Sequence, residues 1–223
     1  MKIMKKILSQ KRRPLVIAVA VMALGAFVTT RAASPSIWSG GGATDNWSDG
    51  GNWGGNVPVP GTTYDLQFEG ATRLAPNNDF AAASNFRNLT FNAGVGAFTL
   101  SGNSITLNGS ITNNSVNLQT LNLPLVVGAA RNLVSAPGDM TLGGAISGAG
   151  GLNVYGGVVT LAGNNTFSGA MAVNAGILML PSGAGIRLNN NYIIGQLAGH
   201  AGAVRIDGGT LTNNQATGTG NMM

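Results

Sequence analysis

Cysteine is absent from all 223 residues, which excludes disulfides, thiolate metal sites and a cysteine nucleophile. Histidine occurs once, at His200, so a histidine metal cluster is excluded and a Ser-His-Asp triad would have to use that residue, with Ser182 and Asp207 as its partners. Gly183-Ala184-Gly185 beside Ser182 is not a nucleophile elbow, and a surface loop is the simpler reading of His200. The last lysine is Lys11; Schiff-base chemistry and a phosphate loop at Gly148-Ala149-Gly150-Gly151 are excluded for want of that side chain. Charged residues make up only 9% of the chain.

That charge is divided along the sequence. Lys2, Lys5, Lys6, Lys11, Arg12, Arg13 and Arg31 precede Ser34, whereas all seven acidic residues follow it. Residues 34–223 therefore hold five arginines against seven acids, a net charge of −2. Those arginines, Arg73, Arg87, Arg131, Arg187 and Arg205, are too scattered for a phosphate-binding face, so no nucleic-acid partner is expected. The basic start leads into the uncharged run Pro14–Val28 and then into Thr-Thr-Arg-Ala-Ala-Ser, the pattern of a secretory signal peptide over residues 1–33, cleaved after Ala32 or Ala33. The alternative, an uncleaved anchor, needs roughly 20 apolar residues to cross the hydrocarbon core. Arg12-Arg13 is a weak twin-arginine signal, because Pro14 follows at once. Membrane contact is thus expected only through this segment, and the mature chain is expected outside the inner membrane, in the periplasm, on the outer-membrane surface or beyond it.

What is abundant is glycine, with 35 residues, interleaved with threonine and asparagine. Gly157–Gly163 returns nineteen residues later as Gly176–Ser182, and Leu142, Leu161 and Leu180 keep the same step. Thr-Leu-x-Gly recurs at Thr99, Thr106, Thr141 and Thr160, with Thr210-Leu211-Thr212-Asn213 as a relaxed copy. Alternation in Phe98-x-Leu100, Ile105-x-Leu107 and Leu121-x-Leu123-x-Leu125 predicts short strands with one inward face. Strands and turns at a period near 20 predict a solenoid over residues 85–223, about seven coils and on the order of 30 Å long. Helix is disfavoured, since each interior glycine costs about 1 kcal/mol relative to alanine. Asn108-Gly109, Gly143-Gly144 and Gly156-Gly157 are expected to supply positive φ at the corners.

Residues 34–84 differ, being rich in tryptophan, proline and aspartate; they predict an N-terminal element capping the first coil, with a strand at Tyr64–Phe68 and another just beyond at Leu89–Phe91. Trp38, Trp47 and Trp53 would serve either as that cap's filling or as a platform stacking on sugar rings. Asp45, Asp49, Asp65, Glu69 and Asp79 crowd the same region. As pairs they would suit glycosidic acid–base work or a Ca²⁺ ion, but Asp45–Asp49 lacks the rest of an EF-hand loop, and turn aspartates explain them more simply.

Residues 144–180 resemble the autotransporter-associated β-strand repeat. The resemblance is carried by Gly151, Leu152, Thr160, Leu161, Gly163, Asn165, Thr166, Gly169, Gly176 and Leu178, together with Gly148, Gly150, Gly157 and Val173, while Phe167 replaces the common tyrosine. Trp38, Trp47-Ser48, Asn52-Trp53 and Pro58 are similar to the openings of large exported bacterial proteins that carry such repeats. The resemblance implies an all-β chain, a right-handed parallel β-helix displayed or released as a passenger-like structural or adhesive element. Family members are usually longer and end in a translocating barrel or sorting segment, neither of which follows here; a small released member and an N-terminal part of a longer product both fit.

The expected function is a non-enzymatic exported β-solenoid whose rows of threonine and asparagine make weak multivalent contacts, without a cofactor. A surface glycan and self-association through an uncapped last coil are the partners the sequence allows. The competing reading is a β-helix that binds or degrades polysaccharide. Scarce charge and missing lysine count against its degrading form.

Overall fold

In the computed structural model, residues 35–188, 190–195 and 201–213 are described; the expected signal segment, His200 and the last residues lie outside them. The described residues form one compact unit. It is a parallel β-solenoid, and among the described residues no helix is long and apolar enough to cross a membrane.

Three faces build the stack. The first is an eight-stranded sheet running through Ser36–Trp38, Leu66–Phe68, Leu89–Phe91, Ile111–Asn113, Arg131–Ser135, Leu152–Tyr155, Met171–Val173 and Tyr192–Ile194. The second has seven strands, Asn77–Asn78, Thr99–Gly102, Gln119–Leu121, Met140–Leu142, Val158–Leu161, Gly176–Pro181 and Gly202–Asp207. The third is divided into a four-stranded sheet (Ser84–Phe86, Ile105–Leu107, Leu125–Val127, Ile146–Ser147) and a three-stranded one (Asn164–Asn165, Gly185–Leu188, Thr210–Asn213). Every pairing between these strands is parallel, so the chain advances one coil each time it returns to a face.

Register turns the sequence pattern into a core. Leu66, Leu89, Ile111, Leu133, Val154, Val173 and Ile194 occupy one column of the first sheet. On the second, Leu100, Leu121, Leu142 and Leu161 form another, and the step of nineteen pairs Val159 with Leu178 as the internal repeat predicts. Most strands contribute alternate residues inward, whereas Tyr192–Ile194 and Gly202–Asp207 at the end of the stack bury none, and burying a leucine or isoleucine completely is worth about 1.5–3 kcal/mol. One such side chain per strand, repeated up the stack, makes a continuous apolar stripe that needs no disulfide.

Several expectations change once the coil is seen in three dimensions. The Thr-Leu-x-Gly copies are not equivalent: those at Thr99, Thr141 and Thr160 lie on the second face, but those at Thr106 and Thr210 lie on the third. Thr120-Leu121, which lacks the glycine, is the missing member in register between Thr99 and Thr141. Leu121, Leu123 and Leu125 are all buried, yet the run rounds a corner from the second face to the third and is not one strand. Gly156 and Gly157 do take positive φ, at 75° and 58°. Gly109 and Gly144 do not; a Cβ at Gly144 would strike the Leu123 carbonyl of the coil before, so close approach is what requires glycine there. The N-terminal strand is shorter than expected, Leu66–Phe68, and Ser36–Trp38 pairs with it in register, so residues 34–84 add strands of their own to the stack.

Candidate functional site

The three tryptophans lie inside the first coils. Trp38, Trp47 and Trp53 are 0%, 0% and 2% exposed. Trp38 and Trp53 meet edge to face with centroids 5.1 Å apart, Trp47 meets Phe86 at 5.7 Å, and Phe68 stacks on Phe91 at 5.0 Å. The Trp53 indole donates to the Trp47 carbonyl at 2.7 Å. A sugar ring needs an open indole face, and none of the three offers one; they fill the N-terminal core.

The early carboxylates are held individually, by turn amides, ion pairs or side-chain amides. Asp49 caps the 3₁₀ turn Gly50–Trp53 and accepts from the Ala43, Thr44 and Gly51 amides at 2.8, 2.8 and 3.0 Å. The Thr44 and Gly51 amides hold its carboxyl below the ordinary range. Asp79 accepts from the Ser48 amide and hydroxyl, Asp45 pairs with Arg73 at 3.1 Å, and Glu69 accepts from the Asn92 amide group at 2.7 Å. Asp65 receives both arms of Arg87 and the Asn88 side chain, and Arg87 lowers its pKa. Among the described residues, no three histidine, aspartate or glutamate side chains gather to hold a metal ion. Asp207 pairs with Arg205 at 3.4 Å; Ser182 lies in an exposed turn.

The repeat residues each have a mechanical part. Leu152, Leu161 and Leu178 point into the core, and Thr160 stands in the outer column Thr99–Thr120–Thr141–Thr160. Glycine is needed at Gly151, Gly163, Gly169 and Gly176 because a Cβ would meet the backbone of a neighbouring coil. The Thr166 amide donates to the Ile146 carbonyl at 2.8 Å. Asn165 does the most: its buried carboxamide accepts from the Ile146 amide at 3.0 Å and donates to the Gly163 and Gly185 carbonyls at 2.8 and 3.2 Å. Where the four-stranded sheet ends and the three-stranded sheet begins, this side chain replaces a backbone acceptor and bridges three coils.

That division leaves a groove of about 450 Å³ on the outside of the third face, lined by Asn164, Asn165, Thr166, Gly185, Ile186, Arg187, Thr210 and Thr212. Two outward columns cross it. Asn164, Gly185 and Thr210 form one, and Thr166, Arg187 and Thr212 lie alongside. Ile186 and Asn165 are buried beneath. In the linear sequence these residues are dispersed, and the coil steps from Asn164 to Gly185 and from Gly185 to Thr210 are unequal, so a search at a single period passes over them.

A second unpredicted feature is a buried polar corner between the first and second faces. Asn113 donates to the Asn117 and Asp139 carbonyls at 3.0 and 2.9 Å, Ser115 donates to Asn113, and Gln119 bridges Ser115 and the Phe98 amide. Polar side chains turn inward here while Val116 and Leu118 are exposed. The signal was present as the alternation Asn113-x-Ser115-x-Asn117-x-Gln119, of which Asn113, Ser115 and Gln119 are buried and Asn117 is exposed.

Compared with known proteins, the chain matches no family model, and no curated protein or solved structure matches it.

Proposed function

We propose that this chain is an exported, non-enzymatic β-solenoid with a structural or adhesive role at the cell surface or in the surrounding matrix. The observation that carries the reading is the outer surface of the stack. Threonines repeat coil by coil on the second face, and asparagine amides link neighbouring coils, Asn132 with Asn153 at 3.1 Å and Asn85 with Asn108 at 3.0 Å. Such a surface offers many weak, identical contacts and suits multivalent attachment. The carboxylates that a hydrolase would use are engaged in turns and ion pairs. The signal-like residues 1–33 and the resemblance of residues 144–180 to the autotransporter-associated repeat support export.

Fractionation of the producing cells, with intact mass and protease shaving, tests the proposal. A product beginning at Ala33 or Ser34 on or outside the cell is expected. An uncleaved chain in the inner membrane or cytoplasm would overturn it. The groove on the third face favours a second reading, a polysaccharide-binding β-helix. Cleavage of any member of a polysaccharide panel, abolished by joint substitution of Asp65, Glu69 and Asp79 in a variant that still folds, would instead establish the degrading form.

A further inference from the structure

We propose that the groove on the third face binds a polysaccharide chain bearing carboxylates, with Arg187 receiving the carboxylate. This assignment rests on the adhesive reading above and specifies its ligand class. Arg187 is singled out among the five arginines that follow the leader. Arg73, Arg87 and Arg205 pair with Asp45, Asp65 and Asp207, and Arg131 donates to the Leu107 carbonyl at 2.9 Å. Arg187 is exposed and meets no carboxylate or carbonyl acceptor among the described residues. It stands between Thr166 and Thr212 in a wall otherwise made of hydroxyls.

The trough beside it exists because Gly185 carries no side chain. A Cβ there would stand 3.2 Å from the Thr210 hydroxyl and 3.5 Å from the Asn164 side-chain oxygen, filling the space between an amide and a hydroxyl. Thr210 and Thr212 donate over long distances, 3.5 and 3.3 Å, to the Ala184 and Ile186 carbonyls, which leaves oxygen lone pairs for incoming hydroxyl groups. Asn164 supplies both a donor and an acceptor.

One cation among neutral hydrogen-bonding groups fits a hydroxyl-rich chain with widely spaced negative charge. Nucleic acid fits poorly, because its dense phosphates need several cations and residues 34–223 carry a net charge of −2. Three coils spaced about 4.8 Å apart span roughly 10 Å, room for a short run of sugar rings lying along the stack. A single exposed arginine gives weak binding, so affinity accumulates through repeated engagement of a polymer.

The test is affinity electrophoresis of the chain purified from its producing cells, through native gels holding polygalacturonate, its neutral methyl ester, dextran or dextran sulfate. Retardation by polygalacturonate alone is expected, weakening as salt rises. Arg187→Gln should raise the apparent Kd about two- to fivefold, the scale of one exposed ion pair. Arg205→Gln, with the same charge change elsewhere, should leave it unchanged. Gly185→Ala should weaken binding severalfold with an unaltered circular dichroism spectrum. Equal retardation by the methyl ester or dextran, response to dextran sulfate alone, equal loss in both arginine variants, or no retardation at all would each overturn the assignment. The two readings fail separately. A chain found inside the cell overturns the surface role but not binding measured on purified protein, whereas a surface chain that ignores polygalacturonate overturns only the groove.

Discussion

Replacing Asn165 by alanine removes a side chain that serves as backbone for its neighbours. The Ile146 amide loses its acceptor, and the Gly163 and Gly185 carbonyls lose a donor. Gly163 keeps a second, long bond from the Gly185 amide at 3.4 Å, so Ile146, whose residue is fully buried, bears the largest cost. An unpaired buried amide costs about 1–3 kcal/mol, and the remaining losses bring the expected destabilisation to roughly 2–4 kcal/mol. Against a typical stability of about 5–15 kcal/mol this is large. With a urea dependence near 3 kcal/mol per molar, the midpoint should fall by about 1 M. Location sharpens the assay. All three tryptophans lie in the first coils, whereas Asn165 precedes Met171–Val173, the seventh of the eight strands on the first face. Coils of a solenoid contact mainly their neighbours, so far-UV circular dichroism should register the loss more strongly than tryptophan fluorescence. Asn165→Leu keeps the branched shape but not the hydrogen bonds and is bulkier, so it should cost at least as much as alanine. If either variant unfolds within roughly 0.5 kcal/mol of the parent, the range of an indifferent surface substitution, the bridging role is wrong.

Two further outcomes follow from the same contacts. Gly151→Ala should destabilise by about 1–3 kcal/mol or more, since its Cβ would strike the Ala170 carbonyl that accepts from the Leu152 amide, whereas Gly128→Ala, with open space around it, should be neutral or slightly stabilising in a thermal melt. Arg87 lowers the pKa of Asp65 from its ordinary 3.8, so the pair's contribution is present above that value and lost as pH falls below it through the lowered folded value; acid unfolding of Asp65→Asn should lack this component, and identical acid profiles for parent and variant would refute it.

The solenoid was legible because its period and its alternation agree. Leu142 and Leu161, and Val159 and Leu178, keep the nineteen-residue step, and the structure pairs them as the repeat demands. Elsewhere the coils are unequal, as between Leu178 and Val204, where the step is longer and no fixed period applies. The tryptophans illustrate a different limit. Composition marks Trp38, Trp47 and Trp53 as large aromatic groups near the start of the stack, but whether an indole faces solvent or packs on Phe68 depends on the path of the chain between strands. Asn165 was visible as part of the repeat pattern, although the reason for an amide there appears only when three coils are stacked.

By itself the sequence determined the all-β class, the coil period, the absence of cysteine chemistry and the charge-poor surface, because these follow from residue type and from spacing along one strand. Tertiary structure alone decided which Thr-Leu copies share a face, which glycines need positive φ and which need empty space, and that Arg187 stands between Thr166 and Thr212 with no carboxylate opposite it among the described residues. Each of these depends on contact between residues about twenty positions apart, and corners of variable length set which residues meet.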